Sequence, residues 1–374
     1  MRICIASDSY YPHPGGVTEH IHHTAVELRE LGHDVKILTA DFGDNQGFDS
    51  PDILRVGRSI LIPANKSFAS VTIGLSLVQD VMKILRTGGF DIVHTHGPLG
   101  PTLPILSLIC SRSVNIATFH AANPRIRSYE ILAPALMPIF KRIHGPIAVS
   151  EAARETIGKY FPADYRIIPN GVDTERFSPM QEPIPDYDDG RPNILFVGRF
   201  DPRKGLKYLL RAMPDIAQAV PGARLLVVGK GILKNYYQRF LDPAVADSVV
   251  FVGYVGPELL PRYYRTGDLF CSPATGEESF GIILLEAMAS GTPLIASDID
   301  GYNRVVSHME DGLLVPARDP DSLAEGIIRL LKDEALKAKF RENGLKKAGS
   351  FSWKSVTRTL EQYYSETLER ASAR

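Results

Sequence analysis

The sequence predicts an α/β protein of two doubly wound domains, and three observations predict it. At 374 residues the chain exceeds what one hydrophobic core usually serves. Short apolar runs alternate with helical stretches through the first half. The same alternation restarts after a segment rich in proline and acid.

The first half carries strand-like runs at Ile3 to Ala6, Val35 to Ala40, Ile92 to His96, Ile116 to His120, Pro146 to Ser150 and Ile167 to Pro169. Between the first two, Val17, Ile21, Thr24, Ala25, Leu28 and Leu31 follow helical spacing, and Gly32 stops the run. That apolar face must pack on a sheet. Residues 178–193 hold four prolines and four acids without apolar periodicity, so they read as a linker. An N-terminal domain is thus expected over 1–178 and a C-terminal domain over 179–352. Runs at Ile194 to Val197, Leu225 to Val228, Val249 to Val252, Leu269 to Cys271, Leu294 to Ala296 and Leu313 to Val315 build the second sheet. The tail has Trp353 ahead of a helical pattern of Val356, Leu360, Tyr363, Tyr364 and Leu368, so 353–374 is expected to cross back onto the first domain. No repeat of 20 to 50 residues is present, which sets solenoids and propellers aside.

Bulk charge narrows the function. The 42 basic and 43 acidic residues leave a net charge of −1, so no global field selects nucleic acid or an anionic membrane. Cys4, Cys110 and Cys271 are too widely spaced for a disulfide framework or a zinc set, and a reducing cytoplasm is the simplest home. No apolar stretch approaches the ~20 residues of a spanning helix, so the protein is expected to be soluble or peripheral.

Ligands of open α/β sheets bind at the carboxyl ends of the strands, and the chemistry-bearing residues are sought there. The segment from Gly276 through Glu278, Ser279, Phe280, Gly281 and Ile282 to Glu286 sets two carboxylates across a strand-to-helix junction. A helix start carries partial positive charge and suits a diphosphate, while Glu286, about two turns on, can accept from ribose hydroxyls. A carboxylate complementing the helix dipole explains Glu278 alone equally well. The run Gly198-Arg199-Phe200-Asp201-Pro202-Arg203-Lys204-Gly205 ends another strand with cations able to hold phosphate, Arg as a fork and Lys as a point charge. Pro14-Gly15-Gly16 stands between the first strand and its helix, where bare backbone can approach a ligand or merely make a turn. His120 closes a strand, placed either to bond a sugar hydroxyl and move a proton or to serve the core.

Two sets of residues are set aside. Asp298-Ile299-Asp300 has the D-x-D spacing of metal-dependent sugar transferases, but no further carboxylates to complete a magnesium shell are evident. The histidines of Glu19-His20-Ile21-His22-His23 and His94-Thr95-His96 match no zinc spacing and read as a polar helix face and a strand end.

Together these segments resemble the retaining glycosyltransferases of family four, the GT-B enzymes, over nearly the whole chain. The resemblance rests on Gly15-Gly16-Val17, Asp91 to His94, Ala117 to His120, Val149-Ser150, Ile168-Pro169-Asn170-Gly171-Val172-Asp173, Gly198-Arg199 with Lys204-Gly205, and the Glu278 to Glu286 pair. In order and spacing it runs nearest to the bacterial phosphatidylinositol mannosyltransferases, which take mannose from GDP-mannose to a membrane lipid. It implies that Arg199 and Lys204 hold the donor diphosphate while Gly16 closes over it. Glu278 is to hold sugar hydroxyls with Ser279, Phe280, Gly281 and Ile282 around the donor, Glu286 is to hold ribose, and His120 is to line the transfer site. Arg199, Lys204, Glu278 and His120 are the implied catalytic set.

Transfer with retention is implied, without a tightly bound cofactor or obligatory metal, since the cations and the helix start stabilise the leaving group. Val255 lies in the base-contacting stretch Gly253 to Leu260, where Pro257 and Leu260 replace an acid and a lysine of the lipid mannosyltransferases. The resemblance makes GDP-mannose the favoured donor, and these two replacements make UDP-glucose or UDP-N-acetylglucosamine the alternative. The acceptor is a lipid or glycan. Its segments depart from the mannosyltransferases at Ala64 and Ser70 and carry only Lys83 and Arg86 as cations over 75–86. Residues 127–144 combine apolar bulk with a basic end, the composition of an interfacial segment or of a capped core helix, so peripheral contact with the inner face of the cell membrane is expected. A nucleotide-sugar epimerase or a non-catalytic sensor is the rival class, and oligomeric state is left open.

Overall fold

The computed structural model describes all residues except 14, 46, 65, 66, 101, 122–125, 232, 233, 277, 279 and 374, and only the backbone at 61, 63, 64, 67–69 and 234. The chain divides into two compact units. Unit 1 comprises Met1–Asn170 with Trp353–Arg374, and unit 2 comprises Gly171–Ser352.

Unit 1 runs β1 (Arg2–Ala6), α1 (Gly16–Glu30), β2 (Asp34–Ala40), β3 (Ile53–Val56), β4 (Arg58–Ala64), β5 (Ser67–Ile73), α2 (Leu77–Thr87), β6 (Ile92–His96), α3 (Leu103–Cys110), β7 (Val114–Phe119), α4 (Arg127–Phe140), β8 (Gly145–Ala148), α5 (Glu151–Gly158) and β9 (Arg166–Ile167). Unit 2 follows with β10 (Asn193–Val197), α6 (Leu206–Ala219), β11 (Arg224–Val228), α7 (Lys234–Gln238), β12 (Val249–Gly253), α8 (Leu260–Thr266), β13 (Leu269–Ser272), α9 (Ile282–Ala289), β14 (Leu294–Asp298), β15 (Leu313–Pro316), α10 (Pro320–Lys332) and α11 (Glu334–Ser350). The last helix, α12 (Trp353–Ser372), belongs to unit 1.

The unit 1 sheet has seven parallel strands in the order β3-β2-β1-β6-β7-β8-β9. Both faces of its central strands are covered: β1 is an unbroken apolar run from Ile3 to Ala6, and β6 buries His94, Thr95 and His96 beside Ile92 and Val93. Ile3 and Ile5 of β1 face Ile21, Ala25 and Leu28 of α1 together with Val356, Leu360, Tyr363 and Tyr364 of α12. Cys4 and Ala6 face the other way, onto Leu77, Val81 and Leu85 of α2 and Leu103 of α3. The unit 2 sheet has six parallel strands in the order β12-β11-β10-β13-β14-β15. Ile194 and Phe196 of β10 pack with α6 and α10, and Leu195 packs with α8 and α9.

In each sheet the strand order reverses once, between β1 and β6 in unit 1 and between β10 and β13 in unit 2. Loops diverge at such a reversal and leave a crevice at the carboxyl ends, the ordinary ligand position of this architecture.

Three features differ from the sequence reading. β3 and the antiparallel hairpin β4–β5 are additional. Residues 178–193 are not a free linker: Arg224 bonds both carboxylate oxygens of Asp189 at 3.0 Å, donates to the Tyr187 carbonyl at 2.9 Å, and lies over the Tyr187 ring. Burial of that guanidinium at the foot of β11 requires the segment as its partner. The division of the chain accordingly falls between Asn170 and Gly171 rather than at 178/179, because Val172 and Phe177 sit in the unit 2 core.

Candidate active site

The strand-order reversal of unit 2 is built from the loops after β10 and β13. Gly198 N–H donates to the Val228 carbonyl at 3.0 Å and ends β10. Asp201 then caps a 3-10 turn, Pro202–Lys204, accepting from the Arg203 backbone N–H at 3.0 Å and from its guanidinium Nη2 at 3.0 Å. Gly205 follows with φ 72°, and a Cβ there would lie 1.7 Å from the Pro273 carbonyl oxygen. Only glycine permits this approach, and it lets Thr275 N–H donate to the Arg203 carbonyl at 2.7 Å, tying the two loops together.

The result is an ion pair. Lys204 Nζ stands 2.8 Å from Glu278 Oε1, with both side chains largely shielded at 18% and 14% exposure. Arg199 is more open at 63%, its Nη2 lying 3.9 Å from Asp201 Oδ2. Beside them, Gly281 takes φ 84° to start α9, closely packed on the Tyr302 ring. Burial first, and the Glu278 carboxylate second, hold the Tyr302 phenol in its neutral form well above its ordinary range. About one turn into α9, Glu286 Oε2 accepts from the Tyr264 hydroxyl at 2.7 Å. Burial, then the Glu286 charge, push Tyr264 well above its ordinary range, so it remains a donor that orients this carboxylate.

The other expected donor-loop residues divide by role. The Phe280 side chain is buried in the unit 2 core against Phe351, so it packs the loop down. Val255 and Ile282 are partly buried against the same core. Ser279, expected at the donor, lies outside the described residues with its neighbour Glu277. The set-aside carboxylates have partners: Asp298 accepts from Asn303 Nδ2 at 3.1 Å and Asp300 stands 3.6 Å from Arg304.

In unit 1, α1 opens at Gly16, an exposed residue, and Gly15 accepts the Glu19 N–H at 2.9 Å. Pro14 lies outside the described residues. Just after β1, Asp8 is buried, accepting from Thr72 N–H at 3.1 Å, Thr102 Oγ1 at 3.1 Å and Leu103 N–H at 3.3 Å, and also from the Thr72 hydroxyl. Its Oδ1 thereby joins β5 to the start of α3. Burial pushes Asp8 up to about 6 against these hydrogen bonds. A single Asp after a strand has no sequence signature, and the sequence reading misses it.

His120 stands immediately after β7, with Nε2 2.9 Å from His96 Nδ1. His20 and His96 are both buried, and the rings of His20, His96 and His120 lie 5.2 Å apart pairwise. His94 sits against His96 at 4.4 Å. The sequence reading of His20 as part of a polar helix face is thus corrected: the tertiary fold turns it inward, where Nδ1 bonds Asn170 Oδ1 at 2.9 Å and the ring meets Trp353 edge-on. Burial lowers His20 to about 4 and His94 to about 3, and holds His96 and His120 well below the ordinary imidazole value, so all four are neutral at pH 7. Among the described residues no group of three His, Cys, Asp or Glu is arranged to hold a metal ion.

Comparison with known proteins fits this architecture. The profile described as Glycosyltransferase Family 4 matches residues 14–176, and that described as Glycosyl transferases group 1 matches residues 180–347. A phosphatidyl-myo-inositol mannosyltransferase of Mycolicibacterium smegmatis is 34% identical over 99% of this chain and 95% of its own. The chain belongs to glycosyltransferase family 4. It is a glycosyltransferase with the GT-B fold. An alpha-monoglucosyldiacylglycerol synthase of Streptococcus pneumoniae is 27% identical over 84% of this chain and 75% of its own. The fold recurs in Anabaena HepE, solved with UDP and glucose, at a TM-score of 0.74 and 18% identity over 97% of this chain and 99% of that one. Among the described residues no helix is long and apolar enough to cross a membrane.

Proposed function

We propose that this glycosyltransferase moves a hexose, with mannose from GDP-mannose the favoured donor, onto a lipid or glycan hydroxyl with retention of configuration and release of the nucleoside diphosphate. The observation that carries the reading is the Lys204–Glu278 pair at the unit 2 strand-order reversal. A lysine and a glutamate held together there offer adjacent sites for a phosphate and for sugar hydroxyls, the two halves of a nucleotide sugar. In this reading the diphosphate takes Lys204, Arg199 and the start of α9, whose positive ends meet the charge that develops as the sugar–phosphate bond breaks. Glu278 accepts from the sugar hydroxyls, and Glu286, oriented by Tyr264, accepts from ribose. Gly281, Ile282 and Gly16 offer backbone to the donor, Val255 lies beside the base, and His120 serves the reacting sugar.

Mannose and a lipid acceptor are favoured by the relative 34% identical over nearly the full chain, whose name states a phosphatidylinositol acceptor. Peripheral membrane contact is favoured by α4, which exposes Ile131 at 78% and Leu132 at 49%. The second reading, a UDP-glucose or UDP-N-acetylglucosamine donor, is favoured by Pro257 and Leu260 in the base-contacting stretch and by the name of the monoglucosyldiacylglycerol relative.

Incubation of the protein with labelled GDP-mannose or UDP-glucose and vesicles of phosphatidylinositol or diacylglycerol tests both. The expected result is an α-linked mannolipid and free GDP. A glucolipid and free UDP establishes the second reading, and a changed sugar still bound to its nucleotide establishes an epimerase instead.

A further inference from the structure

The four-histidine cluster of unit 1 contains an atom that the site described above does not use. His96 Nε2 is buried and has no hydrogen-bond partner among the described residues. Among the described neighbours, His94 spends Nδ1 on the Tyr364 hydroxyl at 2.6 Å and Nε2 on Thr118 Oγ1 at 2.7 Å, and His20 spends Nδ1 on Asn170 at 2.9 Å. A neutral imidazole has one N–H and one lone pair. Were the His96 proton on Nε2, that N–H would be stranded in the interior, the arrangement proteins avoid most. The proton therefore belongs on Nδ1, where it has an acceptor 2.9 Å away, His120 Nε2.

We propose that His96 is a positioning residue that donates from Nδ1 to His120 Nε2, so that His120 is fixed as its Nδ1–H tautomer and presents an N–H donor at the end of β7. The bond consumes the lone pair with which His120 Nε2 would otherwise act as a base. His120 is left a neutral donor, suited to bonding a sugar hydroxyl or ring oxygen and unsuited to removing a proton from the acceptor. That consequence rests on the proposed function, because only there does His120 touch the sugar. The tautomer itself does not depend on it.

Two-bond nitrogen–proton correlation spectra of the 15N-histidine protein near pH 7 decide the matter. His120 is assigned with a His120→Gln variant. The expected spectrum shows His120 protonated on Nδ1 with Nε2 as acceptor, and His96 likewise protonated on Nδ1. His96→Asn, whose amide stands near the Nδ1 position, is expected to keep the His120 tautomer. His96→Leu fills similar space without a donor and is expected to release His120 to the Nε2–H form that predominates in water. On the transfer reaction, His96→Leu should lower kcat by about tenfold to a hundredfold with the donor KM little changed, and His96→Asn should restore most of it. His120 protonated on Nε2 in the unaltered protein, or on Nδ1 in a folded His96→Leu variant, overturns the proposal. Absence of any sugar transfer by the unaltered protein overturns the functional reading, and the spectra still decide the tautomer.

Discussion

Lys204 and Glu278 are the residues on which the proposed donor site turns, each shielding the other's charge at 2.8 Å. Replacing Lys204 by Ala removes the point charge for the diphosphate and leaves Glu278 as an unpaired, largely shielded carboxylate that repels it. The predicted loss in kcat is about 10²- to 10³-fold, the size seen when one preorganised transition-state contact is deleted, and steady-state rates check it. A second prediction concerns pH. His20 falls from 6.5 to about 4 on folding and His94 from 6.5 to about 3, so between pH 6.5 and 4 the unfolded chain takes up protons that the folded chain refuses. Stability contributed by these groups is present above 6.5 and is lost on acidification through that window. Asp8 opposes them: raised from 3.8 to about 6, it keeps in the folded state a proton that the unfolded state releases, and so adds stability as pH falls from 6 toward 3.8. The histidines outnumber it. The urea midpoint is predicted to fall between pH 6.5 and 4.5, and to fall more steeply in Asp8→Asn; a midpoint that is flat, or a shallower fall in that variant, contradicts the assignment.

At the scale of elements, the 3-10 turn at Pro202–Lys204 depends on Gly205. Gly205→Ala must move the turn off the Pro273 carbonyl and strain a left-handed backbone, at a predicted cost of at least about 1–3 kcal/mol in urea unfolding, with weakened nucleotide binding because Lys204 moves with the turn. The sequence showed much of this scale. Every strand of the two parallel sheets that is a continuous apolar run was legible, since burial on both faces leaves Ile3 to Ala6 or Leu225 to Val228 no other home. β3, with Arg55 in a four-residue strand, carries no such run and was not, and the β4–β5 hairpin was not either, although Ile60 to Ile62 is an apolar run. The residues on strand-end loops, Lys204, Glu278 and His120, could be named because position within the alternating pattern fixes where a strand ends. What could not be named were contacts made by the tertiary fold alone: Asp8 meeting Thr72 and Leu103, or His20 reaching Asn170 from the first helix. The segment 178–193 was misread for the same reason, since its partner Arg224 lies in a later strand.

Across the whole molecule, the chain leaves unit 1 at Asn170, builds unit 2 and returns at Trp353, so unit 1 is completed by the last helix. α12 supplies Val356, Leu360, Tyr363 and Tyr364 to the unit 1 core, and Tyr364 bonds His94 at 2.6 Å. A chain ended after Ser352 is predicted to lose the cooperative unfolding of unit 1 while unit 2 retains its own, which hydrogen exchange resolves. Tyr364→Phe removes one buried hydrogen bond and is predicted to destabilise unit 1 by about 1–2 kcal/mol. In the proposed function, unit 2 of this family 4 glycosyltransferase holds a nucleoside diphosphate through Lys204. Calorimetric titration of the full chain with GDP and UDP, each in excess chelator and repeated with Lys204→Ala, tests it most directly. One of the two is predicted to bind, and Lys204→Ala to weaken it at least about tenfold, or about 1.4 kcal/mol; binding of neither, or binding indifferent to the loss of Lys204, contradicts the account.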